Sequence, residues 1–384
     1  MGGKVLRRCN SSAEFKRIKI MSHFMEDAAN TAPDPVREGI STTGTEANWP
    51  KNCWWVAAHG SELGDKPILR WVLELPLALY RTSDGSAAAL HNRCPHRWAP
   101  LSMGEVKGDS LACPYHGMEF GRDGQCLKVP TQDTVPPAIR VRSFPVQERY
   151  GFIWVWTGEI EKADPALIPD MAFFDDPNAQ AVWGYKSASG NYMQLKENVL
   201  DLTHFAFLHA KSLGVTDWDR PPEVETTETT VTYRQKFEMK PLPAVYAVPA
   251  GKPIGKLVNR DNWGCFASPA VNYGAVDCHD PQPEPGGLER FSLYIIHLTT
   301  PVSIAKTHYY WAMVRDHGPK YDFDATRAMS DVVFGEDIAM VEAMQDMAQR
   351  SVDQNEAKEY SVAADRAAIE ARRRITAMVK AEQL

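Results

Sequence analysis

The chain has 384 residues, of which 44% are hydrophobic and 24% are charged, a composition typical of a folded protein with room for two domains. Its formal net charge is −7, with acidic and basic residues interspersed, which argues against a nucleic-acid partner. The sequence contains no apolar run long enough to span a bilayer and no N-terminal apolar stretch of a secretory signal. We therefore expect a cytoplasmic protein with no membrane partner.

The composition and apolar periodicity of the chain change near Trp49. Residues 1–46 contain several Lys and Arg residues but little apolar periodicity, which predicts a poorly ordered extension. Whether this extension belongs to the mature protein, or has a targeting role, stays open. From Trp49 onward, short apolar segments such as 67–80 and 141–156 are separated by Gly, Pro and Asp. This pattern predicts an antiparallel β domain.

Two short motifs in this β region each offer one thiolate and one imidazole. They are Cys94-Pro95-His96 and Cys113-Pro114-Tyr115-His116. Two Cys and two His can hold a tetrahedral zinc, which is the alternative for this set. A Rieske [2Fe–2S] cluster takes two cysteines on one iron and two histidines on the other, so two loops that each pair Cys with His favour the cluster. We expect ordinary reduced thiols at the other cysteines: Cys9, Cys53, Cys126, Cys265 and Cys278.

A second candidate metal site lies in residues 197–209, where His204 and His209 occur within an otherwise apolar stretch. Burying an imidazole without a partner costs free energy, so these histidines need hydrogen bonds or a ligand. Two histidines and one carboxylate on one face can bind non-heme Fe(II) and leave the opposite positions open for dioxygen. On this segment alone, core or capping histidines of an amphipathic helix are an equally good interpretation.

Several stretches together resemble one protein family. Residues 94–104 (CPHRWAPLSMG), 113–117 (CPYHG) and 148–156 (ERYGFIWVW) are similar to the Rieske oxygenases, specifically to their vanillate O-demethylase branch, and the likeness extends to 198–209 and 334–337. The resemblance implies an α+β fold: an antiparallel Rieske β domain at 47–160, followed by a catalytic domain at 161–384. In the catalytic domain a curved antiparallel sheet would wrap around helices, in a helix-grip, START-like arrangement.

The resemblance also implies a set of metal ligands. The ligands of the [2Fe–2S] cluster would be Cys94, His96, Cys113 and His116. At the mononuclear iron, Asp337 would join His204 and His209, because Asp337 matches the position of the family's carboxylate. Glu336, the next residue along the chain, is the rival to Asp337.

Asp201 and Asn198 are expected to act at the catalytic site without binding the iron. A carboxylate three residues before His204 can share a helical face with it and accept its ring N–H. In the resembling family this aspartate also reaches a Rieske histidine of the neighbouring subunit, which implies a homotrimer and an electron path across its interface. Asn198 would support the site, although a plain helix-terminal role is equally compatible with its position.

These parts predict a terminal oxygenase component that uses O2 and external electrons to hydroxylate an aromatic substrate. O-demethylation of a methoxylated aromatic, with release of formaldehyde, is the leading prediction; N-dealkylation and ring or side-chain hydroxylation are the alternatives. The chain has neither a dinucleotide-binding glycine motif nor a plant-ferredoxin cysteine run, so we expect NAD(P)H and flavin on a separate reductase, with or without a ferredoxin. A Rieske electron carrier without catalysis is the alternative from another class.

Patterns in the second half agree with a sheet and helices. Val231, Tyr233, Phe237 and Met239 share one parity, as do alternate residues of 307–313, which predicts strands with one buried face. Helical spacing after Pro319 and an Ala- and Arg-rich end predict helices there. The residues that could line a substrate pocket are Trp263, Phe266, Tyr294, His297 and Trp311.

Overall fold

The computed structural model describes residues 37–40, 48–320, 322–350 and 358–383. The predicted poorly ordered extension, residues 1–46, lies outside these residues except for strand β1 (Arg37–Ile40), which pairs antiparallel with β20 (Lys358–Ser361). Within the described ranges, no helix is both long enough and apolar enough to cross a membrane.

The N-terminal part consists of short antiparallel strands arranged in three small sheets. One sheet has the order β10-β5-β4-β3, the second β11-β12-β2 and the third β6-β7-β8-β9. The strands are β2 (Trp54–His59), β3 (Ile68–Val72), β4 (Leu75–Arg81), β5 (Ala87–His91), β6 (Glu105–Lys107), β7 (Ser110–Ala112), β8 (Glu119–Phe120), β9 (Cys126–Lys128), β10 (Ser143–Phe144), β11 (Val146–Arg149) and β12 (Phe152–Trp156). Strand β12 is buried on both faces, which accounts for its unbroken run of apolar residues.

The C-terminal part is built on an antiparallel sheet with the order β13-β19-β18-β17-β16-β15-β14. Its strands are β13 (Gln180–Ala188), β14 (Glu223–Thr226), β15 (Val231–Pro241), β16 (Leu257–Ser268), β17 (Val271–His279), β18 (Arg290–Ser303) and β19 (Lys306–Arg315). The α-helices are α1 (Tyr192–Leu200), α2 (Ala244–Ala247), α3 (Phe323–Arg350) and α4 (Arg366–Ala381). The α+β fold class and the order of an antiparallel β domain before a sheet with helices are confirmed. The predicted boundary at 160/161 falls in 3-10 turns between β12 and β13.

Strand register decides which side chains of this sheet face α1 and α3. Opposite residues of neighbouring strands lie on the same face, and alternate residues of one strand lie on opposite faces. One row across the sheet contains Phe266, Asn272 and His297, and a second contains Gly264, Gly274 and Ile295. A third row contains Gln235, Asn262 and Val276. These three rows form the inner face of the sheet.

Helix α3 presents one apolar side to the sheet. Its buried residues recur at spacings of three and four, as expected for an amphipathic helix: Ser330, Val333, Phe334, Asp337, Ile338, Val341 and Gln345. Asp337 is the one carboxylate in this buried set, so the helix carries an acid into the interior of the fold.

The two parts of the chain are joined by hydrogen bonds at one end of the large sheet. The N–H groups of Leu73 and Glu74, between β3 and β4, donate to the carbonyls of Pro301 and Val302 on β18. The hydroxyl of Thr300 donates to the carbonyl of Val56 on β2 at 2.8 Å. Backbone pairing of this kind fixes the β domain against the sheet, and residues of both parts belong to one continuous apolar core.

Candidate metal centres and active site

The two Cys–His motifs form a pair of matching turns at the tip of the β domain. The carbonyl of Cys94 accepts the N–H of Trp98, and the carbonyl of Cys113 accepts the N–H of Gly117, four residues on in both loops. Trp98 and Gly117 have φ values of 61° and 70°, a region that suits glycine and is uncommon for tryptophan. The chain therefore turns back at the same point in each loop.

These turns separate the thiols from the imidazoles. Cys94 and Cys113 are buried, whereas His96 and His116 lie at the surface with their Nδ1 atoms 3.2 Å apart. Burial raises the pKa of the Cys94 thiol to about 11, so holding it as a thiolate requires a cation in contact with the sulfur.

The separation distinguishes a cluster from a single ion. Around tetrahedral zinc all four ligand atoms lie roughly 3 to 4 Å from one another, given bond lengths of about 2.0–2.3 Å. Among the described residues, one group of three or more His, Cys, Asp or Glu side chains has its ligand atoms within 4.8 Å of one another. This group does not include the two Cys–His motifs. A [2Fe–2S] cluster places its thiolates and imidazoles on different irons, so the paired arrangement fits it.

That convergent group consists of His204, His209 and Asp337. Helix α1 ends at Leu200, a 3-10 turn over Leu202–Ala206 carries His204, and His209 follows shortly after it. Asp337 approaches from α3, with Oδ1 at 2.9 Å from Nε2 of His209 and 3.5 Å from Nε2 of His204. The structure thus brings together the three residues that the sequence predicted for the mononuclear site.

The Nδ1 atom of His204 is held by the backbone of Asp201. Since a carbonyl can only accept, Nδ1 carries the proton in the 2.5 Å contact with the Asp201 carbonyl, and Nε2 is the ring nitrogen that faces Asp337. The prediction that the Asp201 carboxylate accepts the ring N–H of His204 is wrong, because the acceptor is the backbone carbonyl of Asp201. Its Oδ1 instead accepts from the N–H and hydroxyl of Thr203, because Asp201 is the N-cap residue of the 3-10 turn.

Glu336 has a distinct position on the far side of His209. Its Oε2 lies 2.7 Å from Nδ1 of His209 and accepts a hydrogen bond from the hydroxyl of Ser212 at 2.6 Å. The rival to Asp337 therefore contacts the ring atom that points away from the convergent group. Burial alone would lower the pKa of His209, but hydrogen bonds and charges from Asp337 and Glu336 outweigh it and raise the pKa.

Asn198 is the partner of the buried carboxylate. Its Nδ2 donates to Oδ1 of Asp337 at 3.1 Å. Burial would raise the pKa of Asp337, but its contacts with His204 and His209 hold the pKa well below the ordinary value. The carboxylate is therefore an anion held by donors on several sides, which is the state that a metal requires.

A cavity of about 110 Å³ adjoins this group, between the inner face of the sheet, α1 and α3. Its walls are mainly apolar, with Leu202, Phe205, Ile295 and Val333 among them. Polar side chains enter it at separate places: Asn198, Asn262, Asn272 and His297. Neither the oxygen nor the nitrogen of the buried Asn262 carboxamide has a hydrogen-bond partner among the described residues.

Two glycines face each other in the middle row of the cavity wall. Gly264 and Gly274 are opposite in the register of β16 and β17. A Cβ on Gly264 would lie 2.4 Å from the ring of Tyr233, and a Cβ on Gly274 would lie 2.1 Å from the carbonyl oxygen of Trp263. Backbone therefore forms this part of the wall, and no other residue fits there without a shift.

The pocket residues expected from the sequence divide between the two faces of the sheet. His297 lines the cavity, and its Nδ1 lies 2.7 Å from the hydroxyl of Tyr309. Trp263 borders the cavity, but its indole N–H donates to Asp277 on the outer face, and Tyr294 stacks on Phe173 there. Phe266 and Trp311 share a row with His297 without lining the cavity.

Comparison with known proteins decides the family. The model of the Rieske [2Fe–2S] domain matches residues 53–145, and that of the vanillate O-demethylase oxygenase C-terminal domain matches residues 188–381. The chain belongs to the vanillate O-demethylase branch of the Rieske oxygenases. The family that the sequence motifs resemble is thereby confirmed.

Individual relatives agree with this assignment over most of their length. The Rieske oxygenase described here is 35% identical to the oxygenase component of dicamba O-demethylase from Stenotrophomonas maltophilia, over 87% of this chain and 98% of the relative. It is 33% identical to the vanillate O-demethylase oxygenase subunit of Pseudomonas sp. (strain HR199 / DSM 7063), over 77% and 86%. The crystal structure of dicamba monooxygenase with non-heme iron and dicamba superposes with a TM-score of 0.71 at 30% identity, covering 88% and 99%.

Membership in the family settles several of the expectations. This Rieske oxygenase is the oxygenase component of a monooxygenase or demethylase system, with a [2Fe–2S] cluster, a mononuclear iron and O2 as cosubstrate. It depends on a separate reductase or ferredoxin for electrons. Two alternatives considered from the sequence are therefore wrong: a tetrahedral zinc at the Cys–His motifs, and a Rieske electron carrier without catalysis. The prediction of a cytoplasmic location stays a prediction.

Proposed function

We propose that this protein is an aromatic O-demethylase that removes the methyl group of a methoxylated aromatic as formaldehyde. The observation that carries the proposal is the apolar cavity whose wall includes His204, His209 and Asp337. An engineered cavity of about 150 Å³ binds benzene, so a volume of about 110 Å³ is of the order of one aromatic ring. A single-ring substrate would place its substituents directly against the convergent group.

The assignment of metal ligands follows from which side-chain nitrogen, sulfur and oxygen atoms face one another. Cys94, His96, Cys113 and His116 would hold the cluster. Both histidines of the convergent group have their Nδ1 atoms engaged and direct Nε2 towards Asp337. The mononuclear iron would thus be bound by His204, His209 and Asp337, a two-histidine, one-carboxylate set.

The residues around these three ligands would orient them and exclude water from the substrate. Iron bound there supplies oxidation by dioxygen, and the cluster supplies single electrons. Asn198 holds the carboxylate of Asp337 in one orientation, and the Asp201 carbonyl and Glu336 fix the two imidazole rings. Leu202, Phe205 and Val333 exclude water beside the substrate. Hydroxylation of a methyl carbon on oxygen then gives a hemiacetal, which collapses to a phenol and formaldehyde.

A product assay tests the proposal. Purified protein with a generic reductase, NADH and O2 would be offered single-ring methoxyarenes, and phenol and formaldehyde would be measured with catalase present. We expect the two products in equal amounts, and none from the Asp337→Ala variant. Consumption of every methoxyarene to ring-hydroxylated products with the methoxy group intact would overturn demethylation while leaving the oxygenase assignment in place.

Two exposed aromatic surfaces support assembly into a homotrimer. Trp98 and Tyr115 flank the surface imidazoles of the β domain with 68% and 62% of their areas exposed. Phe207 lies three residues after His204 and is 85% exposed. Apolar surface of this kind marks an interaction site, and two different patches that bind head to tail form a ring when the rotation between subunits closes. We place the cluster of one subunit against the Asp201 region of the next.

The change Asp201→Asn tests the electron path across this interface. Asparagine is an equally good N-cap, and the His204 ring is held by the backbone carbonyl of residue 201, so both metal centres should stay loaded. We expect the cluster to reduce normally but to reoxidise much more slowly when substrate and O2 are added in stopped flow. Reoxidation at the wild-type rate would exclude Asp201 from the electron path. Loss of the mononuclear iron would show that Asp201 is needed to bind that iron.

A further inference from the structure

Buried polar side chains continue along the inner face of the sheet from one end of the cavity. Asn262 lines the cavity, and Gln235 is opposite it in the register of β15 and β16. Arg260 is the next residue of β16 on the same face. These three residues are only 2%, 4% and 1% exposed, yet both amide groups and two guanidinium nitrogens have no hydrogen-bond partner among the described residues. Such a set is unfavourable in a dry interior.

The loop that joins His209 to β14 covers these side chains. Its Trp218 packs edge-on against Phe237 and Tyr233, with ring centroids 5.6 and 6.4 Å apart. Those two residues stand two positions on either side of Gln235 on β15. The indole of Trp218 therefore lies over Gln235, and its own Nε1 is buried without a partner in the part of the chain that the structure describes.

Asp217, next to Trp218, connects these groups with the surface. One of its carboxylate oxygens pairs with the guanidinium of Arg260, and the other is buried with no hydrogen-bond partner in the described ranges. The side chain of Asp217 is 24% exposed, whereas that of Arg260 is fully buried. We call the continuous set from solvent to the cavity the polar row: Asp217, Arg260, Gln235 and Asn262.

The spacing within the polar row suits bridging water. Opposite side chains have Cβ atoms about 5 Å apart, and neighbours on one face of a strand are about 7 Å apart. The amides of Gln235 and Asn262 do not hydrogen-bond each other. Buried water makes about three hydrogen bonds and is the usual partner of buried polar groups that a chain leaves unpaired.

The other polar side chains of the same wall end in the interior. Asn272 accepts a hydrogen bond from the fully buried Lys196. His297 contacts the hydroxyl of Tyr309, which is also buried. Asn262 differs from both, because the groups behind it continue to a partly exposed carboxylate.

Every hydroxylation by an oxygenase consumes protons. One atom of O2 enters a C–H bond and the other leaves as water, so two electrons from the reductase are matched by two protons from solvent. Apolar walls that keep water away from the substrate also keep these protons away. An enclosed oxygenase site therefore needs a separate route for them.

We propose that the polar row, covered by Trp218, holds a chain of buried water that carries protons from the surface to the cavity. Asp217 takes up protons from solvent, and Arg260 holds its carboxylate in place; the pair has no net charge, so it does not repel a further proton. The amides of Gln235 and Asn262 order the water beyond it. Any hydroxylation needs these protons, so the inference does not rest on O-demethylation.

A crystal structure of the iron-loaded protein, at a resolution that shows ordered water, tests the path directly. We expect waters bonded to both amides, to the indole N–H of Trp218 and to the carboxylate of Asp217. In Gln235→Leu, the waters beside residue 235 should be lost. A dry row in the wild type, with its amides paired to protein groups, would overturn the proposal without any variant.

Single-turnover kinetics test whether the path carries protons. Gln235→Leu is suitable because Gln235 does not line the cavity. Protein with a reduced cluster and a methoxyarene that the product assay shows to be oxidised, at the methyl group or the ring, would be mixed with O2 in H2O and in D2O. The variant should reoxidise its cluster about tenfold more slowly, part of the roughly 10²–10⁴-fold that positioned proton transfer contributes, and with a larger solvent isotope effect.

Two further variants separate proton transfer from a structural role. Gln194→Leu is the matched control, because Gln194 on α1 is also buried with an unpaired Oε1 and does not line the cavity; it should keep the wild-type rate and isotope effect. Asp217→Asn keeps an acceptor for Arg260 but cannot take up a proton, so it should resemble Gln235→Leu. Methoxyarene affinity and iron content should be unchanged in all three. A wild-type rate and isotope effect in Gln235→Leu, or equal slowing in Gln194→Leu, would overturn the proposal.

Discussion

Glu336 offers the sharpest test of the mononuclear site, because it touches a proposed ligand without being one. Its Oε2 accepts from Nδ1 of His209 at 2.7 Å, and the side chain is 32% exposed. The change Glu336→Gln keeps size and shape but replaces an anionic acceptor by a neutral one. We expect the mononuclear iron to bind more weakly while the cluster is unaffected.

The size of this effect follows from the kind of hydrogen bond. Bonds to charged groups contribute about 1.5–3 kcal/mol and neutral bonds about 0.5–1.5, so the exchange should cost about 1–1.5 kcal/mol, or roughly tenfold in affinity. Partial exposure of Glu336 screens its charge and favours the lower end. Mutations behind metal-bound histidines generally cost 10–100-fold. Ser212→Ala, which removes a donor to the same carboxylate, should cost less.

Anaerobic titration measures the affinity directly. Protein depleted of the mononuclear iron would be titrated with Fe(II) against a chromophoric chelator, with cluster absorbance as the internal measure of concentration. An affinity within twofold of the wild type for Glu336→Gln would refute the reasoning. A loss as large as that of Asp337→Ala would show that Glu336 is itself a ligand.

Three further outcomes are expected. Asp337→Ala should lose the mononuclear iron and keep the colour of the cluster, because the anionic ligand is deleted while the β domain is untouched; retained iron by metal analysis would contradict this. His116→Cys should retain a [2Fe–2S] cluster of lower potential, since an anionic thiolate stabilises ferric iron better than an imidazole, and an unchanged midpoint in redox titration would exclude His116. Burial lowers the pKa of Lys196 to about 7, whereas the unfolded chain holds this proton to about 10.5. The free energy of unfolding of the wild type should therefore rise with pH between about 7 and 10.5. Because the Lys196→Met variant lacks this proton, its free energy of unfolding relative to the wild type should fall by about 3 kcal/mol from pH 7 to 9.5. Equal differences between the unfolding midpoints of the two proteins at both pH values would contradict this.

The sequence was most informative where chemistry requires particular residue types at short spacing. The Cys–His motifs could be read without a fold, because each loop supplies both of its donors from within four residues. Asp337 comes from a helix more than a hundred residues beyond His209, so spacing could not identify it and family resemblance had to. Glu336 was missed as the partner of His209, and Ser212 as a donor to Glu336, since no pattern predicts that the loop after His209 meets the middle of α3.

Local backbone geometry accounts for the other differences. Met239 was expected on the buried parity of β15, but a register shift between Phe237 and Lys240 and a positive φ of 47° leave it 46% exposed. Strand β19 was expected to have one buried face, yet both are covered, because the β domain and the preceding 3-10 turns pack on the outer side. A period of two reports burial only when one face of a sheet meets water.

The facing glycines of β16 and β17 restrict how the substrate range of this fold can change. Because any Cβ at Gly264 or Gly274 would meet a ring or a carbonyl, the cavity cannot be narrowed stepwise at these two positions. Its size can be adjusted from other lining side chains: Ile295 and Met313, which continue the same row across the sheet, and Met329 on α3. Libraries aimed at bulkier or slimmer aromatics should vary those three positions and leave the two glycines untouched.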